Sequence, residues 1–266
     1  MPDYVHGYSG REAERLSDQA QTLSELIHHD TIFPDHSLVL EAGCGTGAQT
    51  VIVAPKNPRA RFISIDISET SLAQAKENAS AAGINHVEFR VADILHLDFP
   101  DAIFDHIMVC FVLEHLPGPD AALHSLKRVL KPGGSITLIE GDHGSAYFFP
   151  RSDAADAAID AQVVLQAASG GNALIGRELY PLLTRAGFHD CGVSPRMVYA
   201  DASRPEMVEG FTKNTFTAMI EGVRENALHA GLIDPAVFDK GISDLYRSAE
   251  PDGVFCYTFF KGSGIK

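Results

Sequence analysis

Short apolar runs of strand length alternate along the chain with segments whose apolar residues recur every three to four positions. Leu38, Val39 and Leu40, then RFISID (61–66), HVEFRV (86–91) and FDHIMVC (104–110), read as strands. Apolar runs without polar alternation suit strands covered on both faces, as in a parallel sheet. Helical spacing fills the gaps. Leu16, Ala20, Leu23 and Ile27 share one face of a predicted first helix, which the Ser9 and Glu12 pair opens as a capping box. Ser68 is placed to cap a helix that runs through Lys76 to Ala82 and closes at Gly83. Further on, 152–168 and 174–187 read as helical, 191–200 as a strand, and Ser203 with Glu206 as the opening of a helical stretch to about residue 230. Asp234 and Pro235 offer the N-cap and first residue of another helix, and GVFCYTFFKG forms an aromatic final strand whose rings serve sheet packing. Strands alternating with helices predict an α/β fold.

The densest local pattern lies at LVLEAGCGTGA (38–48). Glu41 closes the first strand, and Gly43, Gly45 and Gly47 make a turn where a backbone must pass close to a ligand. Thr46, Ala48, Val51, Ile52 and Ala54 then start a helix that Pro55 and Pro58 break. Strand, glycine turn and helix in this order form a nucleotide-binding βαβ unit. Gly43, Gly45 and Ala48 also satisfy the dinucleotide pattern, so the turn alone leaves NAD-type and other nucleoside cofactors open. Asp66 ends the second strand 19 residues beyond Gly47, where an acid can accept both ribose hydroxyls. The other reading of Asp66 is a helix cap, a role for which Ser68 is better placed. NAD enzymes use the same acid, so it does not separate the cofactors.

E-A-G-C-G-T-G closely resembles motif I of the class I S-adenosylmethionine-dependent methyltransferases, in which an acid sits two residues before the first glycine. FDHIMVC followed by FVLEHLPGPDAALHSLKRVLKPGGSITLIEGDHG is a second stretch that resembles the same family, of small-molecule type. The resemblance covers about the first half of the chain. It implies S-adenosyl-L-methionine as cofactor and a Rossmann-like seven-stranded, mostly parallel sheet with helices on both faces. The implied strand order is three-two-one-four-five-seven-six with an antiparallel final strand. It also implies that Glu41 lies near the cofactor's ammonium group, that Gly43, Cys44, Gly45 and Gly47 pass against it, and that Asp66 with Ile67 takes the ribose side. Asp93 would meet the adenine amino group while Ile94 packs on the ring. Because α/β ligands sit outside the carboxyl ends of parallel strands, Cys110, Phe111, Glu114 and His115 form one candidate rim around the methyl group, and Glu140, Asp142 and His143 the other. Residues 1–36 would be an N-terminal lid helix with Tyr8 facing the cofactor, the alternative being a frayed tail carrying Tyr4, His6 and Tyr8. Residues 37–200 would be the cofactor-binding core, 201–250 a helical cap inserted before the last strand, and 251–266 that strand, all in a single domain.

The formal charge of -14 on 266 residues gives no electrostatic reason to approach nucleic acid or an anionic membrane. Cys44, Cys110, Cys191 and Cys256 are scattered without CxxC spacing and read as reduced thiols. Without an apolar leader or a span of about 18 apolar residues, a cytoplasmic enzyme is expected. Homo-oligomerisation stays open. His115 and His143 are the catalytic candidates, as bases for an acceptor that keeps its proton at neutral pH, and both carry a bland alternative, helix initiation for His115 and a solvated loop for His143. Phe211, Thr215 and Met219 share a helical face that reads first as core, and Asn214 and Phe211 are secondary candidates for acceptor contacts. No tight His/Asp/Glu cluster predicts a metal. The sequence thus predicts methyl transfer to an O, N, S or C nucleophile of a small organic molecule. The rivals are a protein or RNA methyltransferase, a Rossmann NAD(P)-dependent oxidoreductase, and a cofactor-binding protein without catalysis.

Overall fold

The computed structural model describes residues 10–266, with side chains from Gln19 onward. Tyr4, His6 and Tyr8, the Ser9–Glu12 capping pair and the Leu16 side chain lie outside the described residues. In chain order the elements begin with α1 (Gly10–His28), β1 (Leu38–Ala42), α2 (Thr50–Lys56), β2 (Arg61–Asp66), α3 (Glu69–Ala81), β3 (Val87–Val91) and β4 (Phe104–Cys110). They continue with α4 (Pro119–Val129), β5 (Leu130–Phe149), α5 (Asp153–Ala168), α6 (Leu179–Arg185) and β6 (His189–Ala200). The last stretch holds α7 (Pro205–Met207), a π-helix at Val208–Thr217, α8 (Ala218–Gly222), α9 (Arg224–His229), α10 (Pro235–Arg247) and β7 (Val254–Ile265).

The chain divides into two compact units, and β5, β6 and β7 each run from one into the other. The first, a sheet unit, comprises 27–140, 175–195 and 260–266. Its seven strands take the order β3-β2-β1-β4-β5-β7-β6. β1 pairs in parallel with β2 and β4, β2 with β3, and β4 with β5. β7 runs the other way: the Gly133 amide donates to the Lys266 carbonyl (2.9 Å) and the Lys266 amide to the Gly134 carbonyl (3.0 Å), which sets the end of β7 beside the start of β5. Alternate residues of each central strand feed different apolar clusters. Leu40, Ile63, Ile65, Ile107 and Val109 belong to one, and Val39, Phe62 and Met108 to another, as the absence of polar alternation requires. β3 is the exception at the edge, with Glu88 and Arg90 paired in solvent.

Of the described residues, the second unit comprises 10–26, Gly141–Leu174 and Arg196–Phe259. Phe255, Tyr257 and Phe259 lie on one face of β7 and meet Phe211 and Phe216 of the π-helix, with ring centroids of Phe216 and Phe255 4.8 Å apart and those of Phe211 and Tyr257 5.6 Å apart. Phe211 and Phe216 are five residues apart, and the wider π-helix, with its i to i+5 bonds, brings that spacing onto one side. α5 and α10 approach closely at Gly241, where a Cβ would meet the Ala154 carbonyl.

Four local expectations give way. α2 begins at Thr50, not at Thr46, and Pro55 sits within its last turn while Asn57 closes it. Ser203 does not cap the helix after it. Arg204 occupies the N-cap with no side-chain bond, because Ser203 is held by the Asp201 carboxylate. β5 continues to Phe149, so Asp142 and His143 lie within a strand rather than in a polar loop. Asn214 faces solvent, whereas Phe211 is core.

Candidate functional site

The glycine turn is held in shape by backbone. The amides of Gly43 and Cys44 both donate to the Ile65 carbonyl (2.8 and 2.9 Å), which ties the turn to the end of β2. Gly43, Gly45 and Gly47 take φ of 81°, 52° and 79°, in the left-handed region that disfavours a side chain. A Cβ at Gly43 would collide with the Val112 side chain, and one at Gly47 would stand 3.1 Å from the Ala75 Cβ. A Cβ at Gly45 would meet nothing within 4 Å. Gly43 and Gly47 are thus pressed against protein, while Gly45 borders open space.

Acidic residues brace this turn from beneath. Glu41, 3% exposed, accepts hydrogen bonds from Ser64 (2.6 Å) and Thr50 (2.7 Å) through Oε2. Burial raises its carboxyl above the ordinary range, against the lowering by the two hydroxyls. Asp66, half-buried, accepts the Gly45 amide at 2.8 Å and, through its other oxygen, the Ser68 amide at 2.9 Å. Ser68 itself caps α3 by accepting from the Ser71 amide. Asp66 is therefore free of the helix-cap role that rivalled ribose binding, and each of its oxygens retains acceptor capacity. Its neighbour Ile67 is 43% exposed, a large apolar side chain set in solvent directly beyond the turn's anchor.

Asp93 accepts from the Leu95 amide (2.8 Å) and pairs with His96 (3.0 Å), and that pairing holds its carboxyl below the ordinary range. Ile94 packs into the main core cluster. Cys110 ends β4, where burial pushes its thiol well up, and the Glu140 carboxyl adds the strongest charge effect in the same sense. After it, Phe111 takes φ 58° and the chain makes a single 3-10 turn at Leu113–His115. The Glu140 carboxylate, in the middle of β5, caps that turn: its Oε1 accepts from the amides of Val112 (3.1 Å) and Leu113 (2.8 Å). His115 Nε2 stands 3.7 Å from a Glu114 oxygen.

His143 belongs to the other unit. It is 6% exposed, its amide donates to the Ala173 carbonyl, and its Nδ1 shares a 2.7 Å hydrogen bond with the Tyr257 hydroxyl beside Phe216. Glu41, the glycines, Cys44, Asp66, Ile67, Asp93, Ile94, Cys110 and His115 thus all fall in the sheet unit, and His143 does not. Sequence reasoning missed Glu140 as a cap, Val112 as the wall behind Gly43, and Tyr257 as the partner of His143. Val112 and Glu140 lie in the second family-like stretch and Tyr257 in the aromatic final strand, but no local spacing encodes these pairings. It also missed His28, whose ring joins Gln49 (2.8 Å), just after the glycine turn, to Thr31 (3.0 Å).

Residues 35–187 match the protein family described as methyltransferase domain. The chain belongs to that family. An uncharacterised methyltransferase of Schizosaccharomyces pombe is 35% identical over 147 residues, covering 53% of this chain and 52% of that protein. The 27-O-demethylrifamycin SV methyltransferase of Amycolatopsis mediterranei is 27% identical over 227 residues, 84% of this chain and 76% of that one. Among solved structures, phosphoethanolamine N-methyltransferase 2 of Haemonchus contortus with S-adenosyl-L-methionine superposes with a TM-score of 0.56 at 15% identity, over 93% of this chain and 52% of that one, which shows the shared fold. The chain spans about half the length of the yeast and nematode proteins.

The methyltransferase family's cofactor is S-adenosyl-L-methionine, and the residues present fit it. The open side of Gly45 offers the backbone approach that a nucleoside with an amino-acid tail needs. The Asp66 carboxylate, anchored beneath that glycine with acceptor capacity left on both oxygens, fits a ribose diol, and the exposed Ile67 beside it offers an apolar surface.

Proposed function

We propose that this methyltransferase transfers a methyl group from S-adenosyl-L-methionine to an O, N, S or C nucleophile of a small organic molecule. The observation that carries the reading is the Gly45 cradle, open on its ligand side and anchored by Asp66. Support for a small acceptor comes from the rifamycin relative and from relatives named demethylmenaquinone methyltransferase, together with the acidic balance of the chain. Four free cysteines and the lack, among the described residues, of a helix long and apolar enough to cross a membrane support a place in the cytoplasm.

In this reading Asp66 accepts the ribose hydroxyls with Ile67 beside them, and Asp93 and Ile94 take the base. Gly43, Cys44, Gly45 and Gly47 line the amino-acid tail, Glu41 supplies negative potential toward its ammonium group, and Cys110 closes the cradle at the end of β4. Tyr8 belongs to the N-terminal segment assigned as a lid, and 201–250 to a cap. When bound, the cofactor supplies an electrophilic methyl on a sulfonium. The protein's part is to hold the acceptor in line and keep water out, and positioning alone contributes on the order of 7–11 kcal/mol in favourable intramolecular cases. His115 or His143 takes the acceptor's proton where the acceptor carries one.

The test is transfer of tritiated methyl label from S-adenosyl-L-methionine into a cell extract split into small-molecule and macromolecular fractions, with Asp66→Ala as control. Label in the small fraction is expected. Label only in protein or RNA would replace the acceptor class, and saturable binding of NAD(H) without binding of S-adenosylhomocysteine would overturn the reading.

A further inference from the structure

Glu140 is fully buried, and its two oxygens are treated differently. Oε1 accepts the Val112 and Leu113 amides, while Oε2 has no hydrogen-bond partner among the described residues. A buried carboxylate oxygen left without a donor is costly, whereas a carboxylic acid there carries a proton and no net charge. Glu114, whose side chain is itself almost buried, adds a second carboxyl close by. Two carboxyls in one desolvated place cannot both ionise easily. Burial first, and Glu114 second, push the Glu140 carboxyl well above the ordinary range.

This pair adjoins the cofactor cradle. Val112, whose amide Glu140 accepts, is the residue whose side chain fills the place of a Gly43 Cβ. Cys110 pairs with Ile139 across the sheet, one residue before Glu140, and its thiol senses Glu140, Glu41, Lys261 and Glu114 in that order. These groups, with His115 beside Glu114, are the titratable and charged neighbours of the pair. Lys261 is held by Asp30, Thr31 and the Ile27 carbonyl.

We propose that Glu140 and Glu114 form a charge-coupled proton store, which releases its shared proton when a sulfonium occupies the cradle and recovers one when the sulfur there is neutral. The proposal rests on the methyltransferase reading and adds a role for residues that reading leaves unused. A positive sulfur favours the doubly ionised pair, and a thioether does not. The charges balance over a turnover. The acceptor's electron pair forms the new bond to the methyl carbon, the carbon–sulfur pair stays on sulfur, and the proton that leaves the acceptor is matched by the one the pair takes up.

The experiment compares binding of S-adenosyl-L-methionine and S-adenosylhomocysteine by calorimetry in two buffers of different ionisation enthalpy, at about pH 6.5, below the range of α-amino groups. The wild-type protein is expected to release about one proton more with the sulfonium than with the thioether. Glu140→Gln keeps an acceptor oxygen for the two amides and is expected to lose that difference while binding S-adenosylhomocysteine within about twofold of wild type. Glu114→Gln, which leaves the cap untouched, is expected to reduce it as well. Equal proton release with both ligands in the wild type would overturn the proposal, as would its persistence in both variants. Failure of both ligands to bind would overturn the methyltransferase reading and the proposal together, an outcome distinct from equal release.

Discussion

Two buried glutamates of the sheet unit, on β1 and on β5 with β4 between those strands, are solved differently. Glu41 at the end of β1 receives two hydroxyls on one oxygen, so that its charge is met by β2 and α2. Glu140 on β5 receives the Val112 and Leu113 amides on one oxygen, and its other oxygen has no hydrogen-bond partner among the described residues. The first arrangement steadies a turn that must not move, because the three glycines are already in left-handed backbone. The second leaves one polar atom to respond to what enters the cradle. A buried carboxyl next to a binding site therefore has two meanings, brace or titrating group, and the hydrogen-bond partners decide which.

The comparison breaks most severely at Gly43. Gly43→Ala combines left-handed backbone, roughly 1–2 kcal/mol for a residue with a Cβ, with a collision against Val112. A lowered melting temperature and loss of S-adenosylhomocysteine binding are expected. Gly45→Ala meets no neighbour within 4 Å, so it should fold better than Gly43→Ala yet still lose cofactor affinity. Equal melting temperatures for the two would remove Val112 as the wall behind the turn.

His28 provides a pH test of the packing behind the turn. Burial lowers its pKa to about 4, against about 6.5 in the unfolded chain. The unfolded chain then binds the proton first, so stability is fully present above about pH 6.5 and is lost as pH falls toward 4, by at most about 3 kcal/mol. Urea melts at stepped pH should show this slope, and His28→Gln should flatten it.

Asp66→Ala should cost about tenfold or more in S-adenosylhomocysteine affinity, in keeping with loss of charge-assisted bonds of about 1.5–3 kcal/mol, while the melting temperature changes little. Unchanged affinity would leave Asp66 as a support for the Gly45 amide alone. Ser64→Ala is the mildest test, because Thr50 still serves the same Glu41 oxygen. A loss of about 1 kcal/mol in stability is expected by chemical denaturation, and a larger loss in Ser64→Ala/Thr50→Ala than the sum of the single changes.

Much of the sheet unit was legible in the chain. Unbroken apolar runs located β1, β2 and β4, Ser68 and Gly83 bounded α3, and the three glycines located the tight turn after β1, because each of these is a local matter of backbone conformation, capping or strand burial. The extent of β5 was not, since EGDHGS carries loop-type residues that only the neighbouring strands hold extended. The π-helix at 208–217 was also beyond reach, because α and π windings share the same residue preferences and differ in which distant rings they must meet. The partners of Glu140 and His143 lie 27 and 114 positions away along the chain, and no local pattern encodes a hydrogen bond across that separation. The sequence by itself determined the family, the glycine turn and most of the elements. Tertiary structure decided which acids brace and which are left to titrate, because that depends on long-range packing and on which donors are brought within about 3 Å.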